Sequence, residues 1–251
     1  MPNSKRIGVK TVRAYIYQCR DIPAADEDGQ SDPFIKIWDS TQEEKKTKVI
    51  EDNTNPLFYE TLELKFEATS LEDMPPIVCD VYDKDALSSD FIARTLIPIK
   101  DAAISYDEKF PTPKWHKCKL TPTSPAQGEI LVSFAVVEFD FKFPSPYNKV
   151  NLAARVPREE FEIEINILGL RDLQSTGILP VKKAFIVFNL KSLVPPDVGT
   201  ALENIKTQPN SPGPNPTINT MIKFVVPLPV DKLYQPRMLC TVNDYIFKGF
   251  N

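Results

Sequence analysis

The amino-acid sequence predicts an all-β protein built from two antiparallel β-sandwiches. The chain has 251 residues, 42% of them hydrophobic, which is enough apolar material for one large core or two small ones. It contains 24 prolines against 8 glycines, and few long stretches repeat apolar residues with a helical period. Many short runs are instead rich in Val, Ile, Phe and Tyr, which is typical of strands. We therefore expect little helix.

The first strand is predicted at residues 11–19, where apolar and polar side chains alternate. Val12, Ala14 and Ile16 share one face, as in a half-buried strand. Cys19 breaks that phase, and we expect a bulge that returns its small side chain to the core. A packing role for Cys19 is therefore favoured over a redox role.

The four cysteines are far apart and form no C-x-x-C pair. A zinc site or a disulfide framework is therefore not expected. All four are predicted to be reduced core thiols: Cys19, Cys79, Cys118 and Cys240.

An acidic loop at residues 83–90 follows the strand-like run 77–82. Side chains two apart on a strand end face the same way, so Asp83 and Asp85 point together. A loop that returns through Ser88 and Ser89 can bring Asp90 beside them. Clustered carboxylates repel one another unless a cation lies between them, and such hard oxygen ligands suit Ca²⁺.

A second acidic loop lies upstream, at residues 26–32, and is followed by a strand that opens with Ser31-Asp32-Pro33-Phe34. With this motif, and with Asp-x-Asp followed by Asp-Phe-Ile in the other loop, the chain resembles a C2 domain. The resemblance implies a calcium site whose five acidic ligands are Asp26, Asp32, Asp83, Asp85 and Asp90. The alternative is a pair of acidic loops without useful calcium affinity.

A basic strand at residues 45–50 carries Lys45, Lys46 and Lys48. In the C2 domains that it resembles, the lysine-bearing strand lines a concave face that receives anionic lipid headgroups. The alternative is an edge strand that its lysines protect against aggregation. At the apex of the loop 83–90, Leu87 is the apolar residue best placed to enter a membrane interface.

Further motifs are similar to those of the ferlins: the double proline in Met74-Pro75-Pro76, Arg94-Thr95 after the acidic loop, and Gly169-Leu170-Arg171-Asp172-Leu173. We predict a calcium-type C2 domain at residues 1–142, a proline-containing linker at 143–158, and a second C2-like domain at 159–251. The second domain is expected to lack its final strands at the C-terminal end. Lys182 and Lys183 replace its acidic pair, so no calcium site is expected there.

Charge and motifs exclude several function classes. The net charge is −4 with a pI near 5.3, which argues against nucleic-acid binding. Residues 1–156 hold 20 basic and 25 acidic side chains (−5), and residues 157–251 hold 10 and 9 (+1). His116 is the only histidine, and no nucleophile or phosphate-loop motif accompanies it, so we expect no enzyme.

The sequence therefore predicts a Ca²⁺-dependent phospholipid-binding module of ferlin type, with a role in membrane trafficking or fusion. Its expected partners are anionic phospholipid membranes, together with protein partners or further C2 domains of a longer chain. The alternative is a scaffold that mediates protein contacts, with calcium incidental. No leader or apolar span is evident, so we expect a cytoplasmic location, peripheral at membranes; a full-length ferlin would be membrane-anchored.

Overall fold

The structure is a computed structural model of the 251-residue chain. It describes residues 8–24, 31–39, 43–68, 74–99, 111–138, 150–175, 180–198, 202–208 and 212–245. The chain divides into two compact units, Met1–Arg155 and Val156–Asn251, called here the first and second units.

The described residues of the first unit form eight antiparallel strands in one hydrogen-bonded series, in the order β3-β2-β5-β6-β7-β8-β1-β4. The strands are β1 (Gly8–Arg20), β2 (Pro33–Trp38), β3 (Glu44–Lys46), β4 (Leu57–Ala68), β5 (Ile77–Lys84), β6 (Ser89–Ile97), β7 (Lys114–Lys119) and β8 (Ala126–Glu138). A single residue pair, Arg94 opposite Lys119, joins β6 to β7. The series therefore consists of two halves with a weak seam between them.

The two halves of the first unit pack face to face around one apolar core. That core combines buried side chains of β2, β5 and β6 with those of β1, β4 and β8. Side chains from opposite halves can share a core only if the sheet folds back on itself, as in a β-sandwich. The predicted all-β sandwich fold is confirmed.

Strand β1 shows why the sequence pattern was informative. Val12, Ala14 and Ile16 are fully buried in the shared core. The register of β1 shifts between Ile16 and Gln18 against both of its neighbours, and Cys19 then joins the same core. The predicted bulge and the packing role of Cys19 are confirmed.

The basic strand is shorter than predicted. Strand β3 ends at Lys46, and Thr47 instead anchors the chain to β2. The hydroxyl oxygen of Thr47 accepts a hydrogen bond from the N–H of Ile35 (2.9 Å), and the N–H of Thr47 donates to the carbonyl of Ile35 (2.9 Å). Lys48 therefore lies beyond the strand that carries Lys45 and Lys46.

A four-residue helix, α1 (Leu152–Arg155), closes the first unit. Its Leu152 and Ala153 side chains are buried, and the helix packs against β4. Residues 143–149 of the predicted linker lie outside the described residues, so the proposed linker boundaries stay a prediction. None of the helices in the described parts of the chain has the length and apolar character of a membrane-spanning segment.

In the second unit, the part of the chain that the structure describes forms five strands in two small antiparallel sheets, β11-β10-β13 and β12-β9. Three short 3₁₀ helices, Leu190–Leu193, Pro196–Val198 and Lys232–Tyr234, lie between strands. The strands are β9 (Arg158–Gly169), β10 (Ala184–Asn189), β11 (Ile205–Lys206), β12 (Thr217–Pro229) and β13 (Leu239–Asp244).

These five strands repeat β1 to β5 of the first unit in order, pairing and register. The bulge in β1 against β4 recurs in β9 against β12, where Ile167 pairs with Thr220 and Gly169 with Thr217. Thr207 repeats the anchor of Thr47, because it exchanges the same two hydrogen bonds with Ile186, each 2.9 Å long.

The turn after the first strand is repeated as well. Asp21 has a positive φ of 54°, and its N–H donates to the side-chain oxygen of Asn55 (3.0 Å). Asp172 has the same φ of 54°, and its N–H donates to the side-chain oxygen of Asn215 (2.9 Å). Two turns with the same rare backbone conformation and the same side-chain support indicate that both units share one architecture.

One prediction about the cysteines is wrong. Cys19, Cys79 and Cys118 are buried, as expected, but Cys240 is exposed. The alternation of side chains along β13 places Cys240 on the side of the strand that faces the second unit's core. The described strands do not cover that side. Burial raises the pKa of Cys118 to about 12, so this core thiol stays protonated at neutral pH.

Candidate functional site

Asp83 is the central acidic residue of the candidate site, and it is almost fully buried, with 2% of its surface exposed. It lies near the end of β5, opposite Pro33 on β2. One of its carboxylate oxygens accepts a hydrogen bond from the N–H of Asp32 (2.6 Å), and the carbonyl of Asp32 accepts from the N–H of Lys84 (3.0 Å). Asp83 therefore ties the start of β2 to the end of β5.

Asp32 places a second carboxylate beside this junction. Its Oδ1 accepts a hydrogen bond from the N–H of Asp52 (2.9 Å), which orients the side chain from the neighbouring turn. Burial raises the pKa of Asp83, and the negative charges of Asp85 and Asp32 raise it further, against the lowering effect of the Asp32 N–H. Three carboxylates are thus close enough to interact electrostatically.

Asp90 lies directly across the ladder from Asp83, on the adjacent strand β6. Residues that face each other on antiparallel strands place their side chains on the same side of the sheet. Like charges in that position destabilise a sheet, so an acidic pair here favours a bound cation.

The loop between β5 and β6 is closed by its own polar groups. The ammonium of Lys84 donates to the carbonyl of Ser88 (3.0 Å), and the hydroxyl of Ser88 donates to Asp85 (3.1 Å). At the apex, the Leu87 side chain is 100% exposed. The loop thus presents one apolar side chain to solvent next to the acidic residues.

The described residues bring together Asp32, Asp83 and Asp85, with Asp90 opposite, whereas Asp26 lies outside them. Within the described ranges, no group of three or more acidic, histidine or cysteine side chains already surrounds a single point. The donor set still fits a hard cation, because it consists of carboxylate oxygens on two neighbouring strand ends. The ligand set Asp26, Asp32, Asp83, Asp85 and Asp90 stays a prediction.

An ion pair between a buried aspartate and a half-exposed arginine supports the strands that carry this loop. Asp80 is 1% exposed, and its two oxygens accept hydrogen bonds from the guanidinium of Arg94 at 2.6 and 2.9 Å. The indole N–H of Trp38 donates to the same carboxylate (2.8 Å). Hydrogen bonding to Asp80 raises the pKa of Arg94 further above its ordinary value.

This pair was not predicted from the sequence, because Asp80 lies within an apolar run and its partners lie on other strands. Arg94 faces Asp80 across β5 and β6, and Trp38 comes from β2. The pair connects three strands just below the acidic loop. The signal available in the sequence was Asp80, a charged residue inside a strand that is otherwise buried.

The basic segment that carries Lys45, Lys46 and Lys48 has a further lysine nearby, Lys36, which was not predicted from the sequence. Lys36 on β2 lies opposite Lys46 on β3, so both side chains share one face. The Lys36 ammonium lies 4.9 Å from the ring centre of Tyr82 and also pairs with Glu44 (3.1 Å). Lys45 pairs with Glu43 (3.2 Å). The signal available in the sequence was the alternation of side chains along β2, which indicates the face on which Lys36 lies.

The equivalent place in the second unit has opposite charge. The carboxylate of Asp244 at the end of β13 accepts hydrogen bonds from the N–H groups of Lys182 (2.9 Å) and Lys183 (2.6 Å). Burial raises the pKa of Asp244, but the Lys182, Lys183 and Tyr245 N–H groups and the Lys182 charge outweigh it and lower the pKa overall. The single carboxylate is thus already paired with local donors.

Comparison with known proteins shows which family the first unit is similar to. Residues 10–118 match the family model described as "C2 domain". The first unit therefore resembles a C2 domain, as its sequence motifs predicted. Proteins of this family typically bind phospholipid membranes.

The chain as a whole is similar to the ferlins. It is 25% identical over 262 residues to Fer-1-like protein 4 of Mus musculus, covering 93% of this chain and 13% of that protein. It is 25% identical over 268 residues to myoferlin of Homo sapiens, covering 97% of this chain and 12% of that protein. The chain thus spans about an eighth of these relatives, and the predicted ferlin resemblance is confirmed.

One solved structure that matches part of the chain is a single C2 domain of plant extended synaptotagmin 1. It has 21% sequence identity and a TM-score of 0.45, and the match covers 54% of this chain and 99% of that chain.

Proposed function

We propose that the first unit is a Ca²⁺-dependent phospholipid-binding module. The observation that carries this proposal is the buried carboxylate of Asp83, whose pKa is raised beside Asp85 and Asp32. A carboxylate that is costly to ionise where it stands gains most from a nearby cation. Asp32, Asp83, Asp85 and Asp90, with Asp26 from the other loop, would hold the ion.

The chain's own residues supply the switch. Carboxylates at one end of the first unit give that surface a negative potential, which repels anionic headgroups. When bound, Ca²⁺ supplies positive charge and open coordination positions that suit phosphate oxygens. The first unit's framework keeps the loop in place, because Asp83 is fixed by the Asp32 N–H and the strand below is fixed by the Asp80–Arg94 pair.

Leu87 and the lysines of the basic segment contribute the remaining contacts with lipid. Leu87 enters the interface between headgroups, and Lys45, Lys46 and Lys48 attract anionic headgroups electrostatically. Lys36 adds a cation on the face that carries Lys46, its partner across the ladder. We extend the proposal to a peripheral location at membranes, and to a role in membrane trafficking or fusion, from the similarity to ferlins. The module is proposed to be non-catalytic.

Flotation with phosphatidylserine liposomes tests the proposal. The chain should float in Ca²⁺ and remain at the bottom in a chelator, and D83N/D85N should remain at the bottom in both. D197N/E203Q is the matched control, because it also removes two negative charges, but from exposed positions of the second unit. Calcium-independent flotation, or flotation of D83N/D85N like wild type, would show the proposal to be wrong.

The same assay measures the contribution of Leu87. Its side chain is fully exposed in the free protein, so L87A removes apolar surface without opening a cavity. Full burial of a leucine side chain is worth about 1.5–3 kcal/mol, of which alanine keeps only a part. We expect about tenfold weaker binding in Ca²⁺ with an unchanged calcium requirement. Equal affinity of L87A and wild type would remove Leu87 from the interface.

A further inference from the structure

Strands β9 and β12 of the second unit have one side that faces away from the unit's apolar core. On β9, Ile167 belongs to that core, and Ile163 and Ile165 pack against it. Side chains alternate along a strand, so the even-numbered residues of β9 point to the other side, called here the outer face of the second unit. The β9 part of this face is an exposed acidic row: Glu160, Glu162 and Glu164.

The β12 part of the outer face is mainly apolar, and it is exposed. Met221 is 60% exposed, Val225 is 49% exposed, and Leu168 near the end of β9 is 74% exposed. Across the ladder, Met221 pairs with Asn166 and Val225 pairs with Glu162. Paired residues of antiparallel strands place their side chains on one side of the sheet, so the apolar row lies directly beside the acidic row.

The acidic row is only partly neutralised within the outer face. The ammonium of Lys223 lies 2.8 Å from the carboxylate of Glu162, and the side-chain amide of Asn166 donates to Glu164 (3.1 Å). Three glutamates and one lysine give this face a net charge of −2. A negative row beside an apolar row attracts a partner that has cations beside apolar groups.

The spacing of the glutamates fits a row of cationic side chains better than a single metal ion. Alternate residues of a strand are about 7 Å apart. The oxygen ligands of Ca²⁺ lie only about 2.3–2.6 Å from the ion, so carboxylates at this spacing do not share one ion. Successive Lys or Arg side chains of a partner can instead each meet one carboxylate.

The equivalent side of the first unit is buried, which shows that this fold can use it as a packing surface. Tyr15 and Tyr17 point to that side of β1 and are 0% and 2% exposed. Their equivalents on β9, Asn166 and Leu168, are exposed. The positions correspond because the pairing of β1 with β4 matches that of β9 with β12 in register.

We propose that the outer face of the second unit binds a partner protein through a basic amphipathic segment. Apolar residues of that segment contact Met221, Val225 and Leu168, and its Lys or Arg side chains contact the acidic row. The sign of the charge decides against other occupants, because the acidic row repels an anionic membrane and the same row of a second copy. The proposal is independent of calcium binding, because it uses no residue of the first unit.

Fluorescence anisotropy with a labelled synthetic helix tests the proposal on the intact chain. The helix carries leucines along one side and lysines beside them, and a comparison helix carries glutamates in place of the lysines. The variant E160Q/E162Q/E164Q removes the acidic row. Its matched control is E51Q/E67Q/E203Q, which neutralises three exposed glutamates outside the outer face.

A second pair of variants tests the apolar row. M221S/V225S removes two exposed apolar side chains from the outer face. L96S/L120S is its matched control, because Leu96 and Leu120 of the first unit are exposed to a similar degree, 59% and 46%. Amide exchange of β9 and β12 checks that each variant keeps its fold.

We expect the lysine helix to bind wild type and the glutamate helix not to bind. E160Q/E162Q/E164Q and M221S/V225S should each weaken binding at least about tenfold, and both controls should stay within about twofold of wild type. Absence of binding to wild type, equal binding of the glutamate helix, or equal losses in the controls would overturn the proposal.

Three further outcomes would also overturn it, because each assigns another contact. A loss of helix binding in D83N/D85N alone would place the helix at the acidic loop of the first unit. Binding of wild type to phosphatidylcholine vesicles that M221S/V225S abolishes would make the outer face a lipid contact. Dimerisation that either outer-face variant abolishes would make the occupant a second copy.

Discussion

The two units hold the same hydrogen-bond framework at the same strand ends, but they carry opposite charges on it. In the first unit, the N–H of Asp32 donates to Asp83, and in the second unit the N–H of Lys183 donates to Asp244; both distances are 2.6 Å. The backbone return bonds also match, from Lys84 to Asp32 and from Tyr245 to Lys183. The framework therefore belongs to the fold, whereas the charge of the side chain at the position of Asp32 differs between the two units.

This comparison gives the acidic residue two separable roles. Asp83 and Asp244 both serve as acceptors that fasten two strands. Among the described residues, Asp83 has the carboxylates of Asp85 and Asp32 nearby and Asp244 has none that shifts its pKa; the pKa of Asp83 moves up, whereas that of Asp244 moves down. A strand-end aspartate is thus a structural feature, and a cation site requires the additional carboxylates.

The largest expected effect comes from placing a charge at two equivalent valines, Val81 on β5, which is 2% exposed, and Val242 on β13, which is 46% exposed. V81D puts a carboxylate into the closed core of the first unit and should cost more than about 3 kcal/mol in free energy of unfolding. V242D places it on a half-exposed surface and should cost less than about 1 kcal/mol. Because both tryptophans, Trp38 and Trp115, lie in the first unit, their fluorescence follows V81D, and amide exchange of β13 follows V242D. Equal losses would contradict the difference in core closure.

The next effect concerns the ion pair between buried Asp80 and half-exposed Arg94, which cannot form in the second unit because Thr241 takes the place of Asp80. R94M leaves the buried Asp80 carboxylate without its main partner and should cost about 2–4 kcal/mol. K223M is the control, because Lys223 pairs with Glu162 at an exposed position and should contribute about 0–1 kcal/mol. Denaturant unfolding measures both. A loss in R94M no larger than in K223M would show that Asp80 does not depend on Arg94.

The smallest effects should have opposite signs in the two units. In a chelator, D83N keeps an acceptor oxygen for the Asp32 N–H but removes a charge that burial disfavours, so the thermal midpoint should rise slightly. D244N removes a charge that local N–H groups favour, so the midpoint should fall. Both shifts should be below about 4 °C. Shifts in the same direction would contradict the different electrostatics of the two carboxylates.

The Asp244 contribution also has a defined pH dependence. Its folded-state pKa is lowered, so the stabilisation is present above the ordinary aspartate pKa of about 3.9 and is lost as pH falls through the folded-state pKa. D244N should therefore lose less stability than wild type over that acidic range. Parallel acid-unfolding curves for the two proteins, recorded by amide exchange of β13, would contradict this assignment.

The sequence was most informative where local pattern and physical cause coincide. Alternation placed Val12 and Ile16 in the core, and the phase break at Cys19 indicated the bulge, because side-chain direction on a strand is a local property. The Asp80–Arg94 pair and the exposure of Cys240 were missed for the opposite reason. Both depend on which other strands lie alongside, and pairing partners are not visible in the period of a single strand.

The candidate site was predictable in the same uneven way. The acidic motif located Asp83 and Asp85 at a strand end, and its spacing suggested that Asp90 returns beside them. The capture of Asp83 by the N–H of Asp32 requires knowledge of the pairing between β2 and β5. In the second unit, the equivalent pairing between β10 and β13 determines that the N–H of Lys183, and not that of an acidic residue, donates to Asp244.

Calorimetric titration of the intact chain with Ca²⁺ tests most directly whether charge on a shared framework decides calcium binding. Wild type should bind calcium, and D32K, which gives the first unit the charge found at Lys183, should abolish that binding while the fold is kept. K183A should bind like wild type, because the second unit is expected to hold no ion. Absence of binding by wild type, or undiminished binding by D32K, would contradict the account.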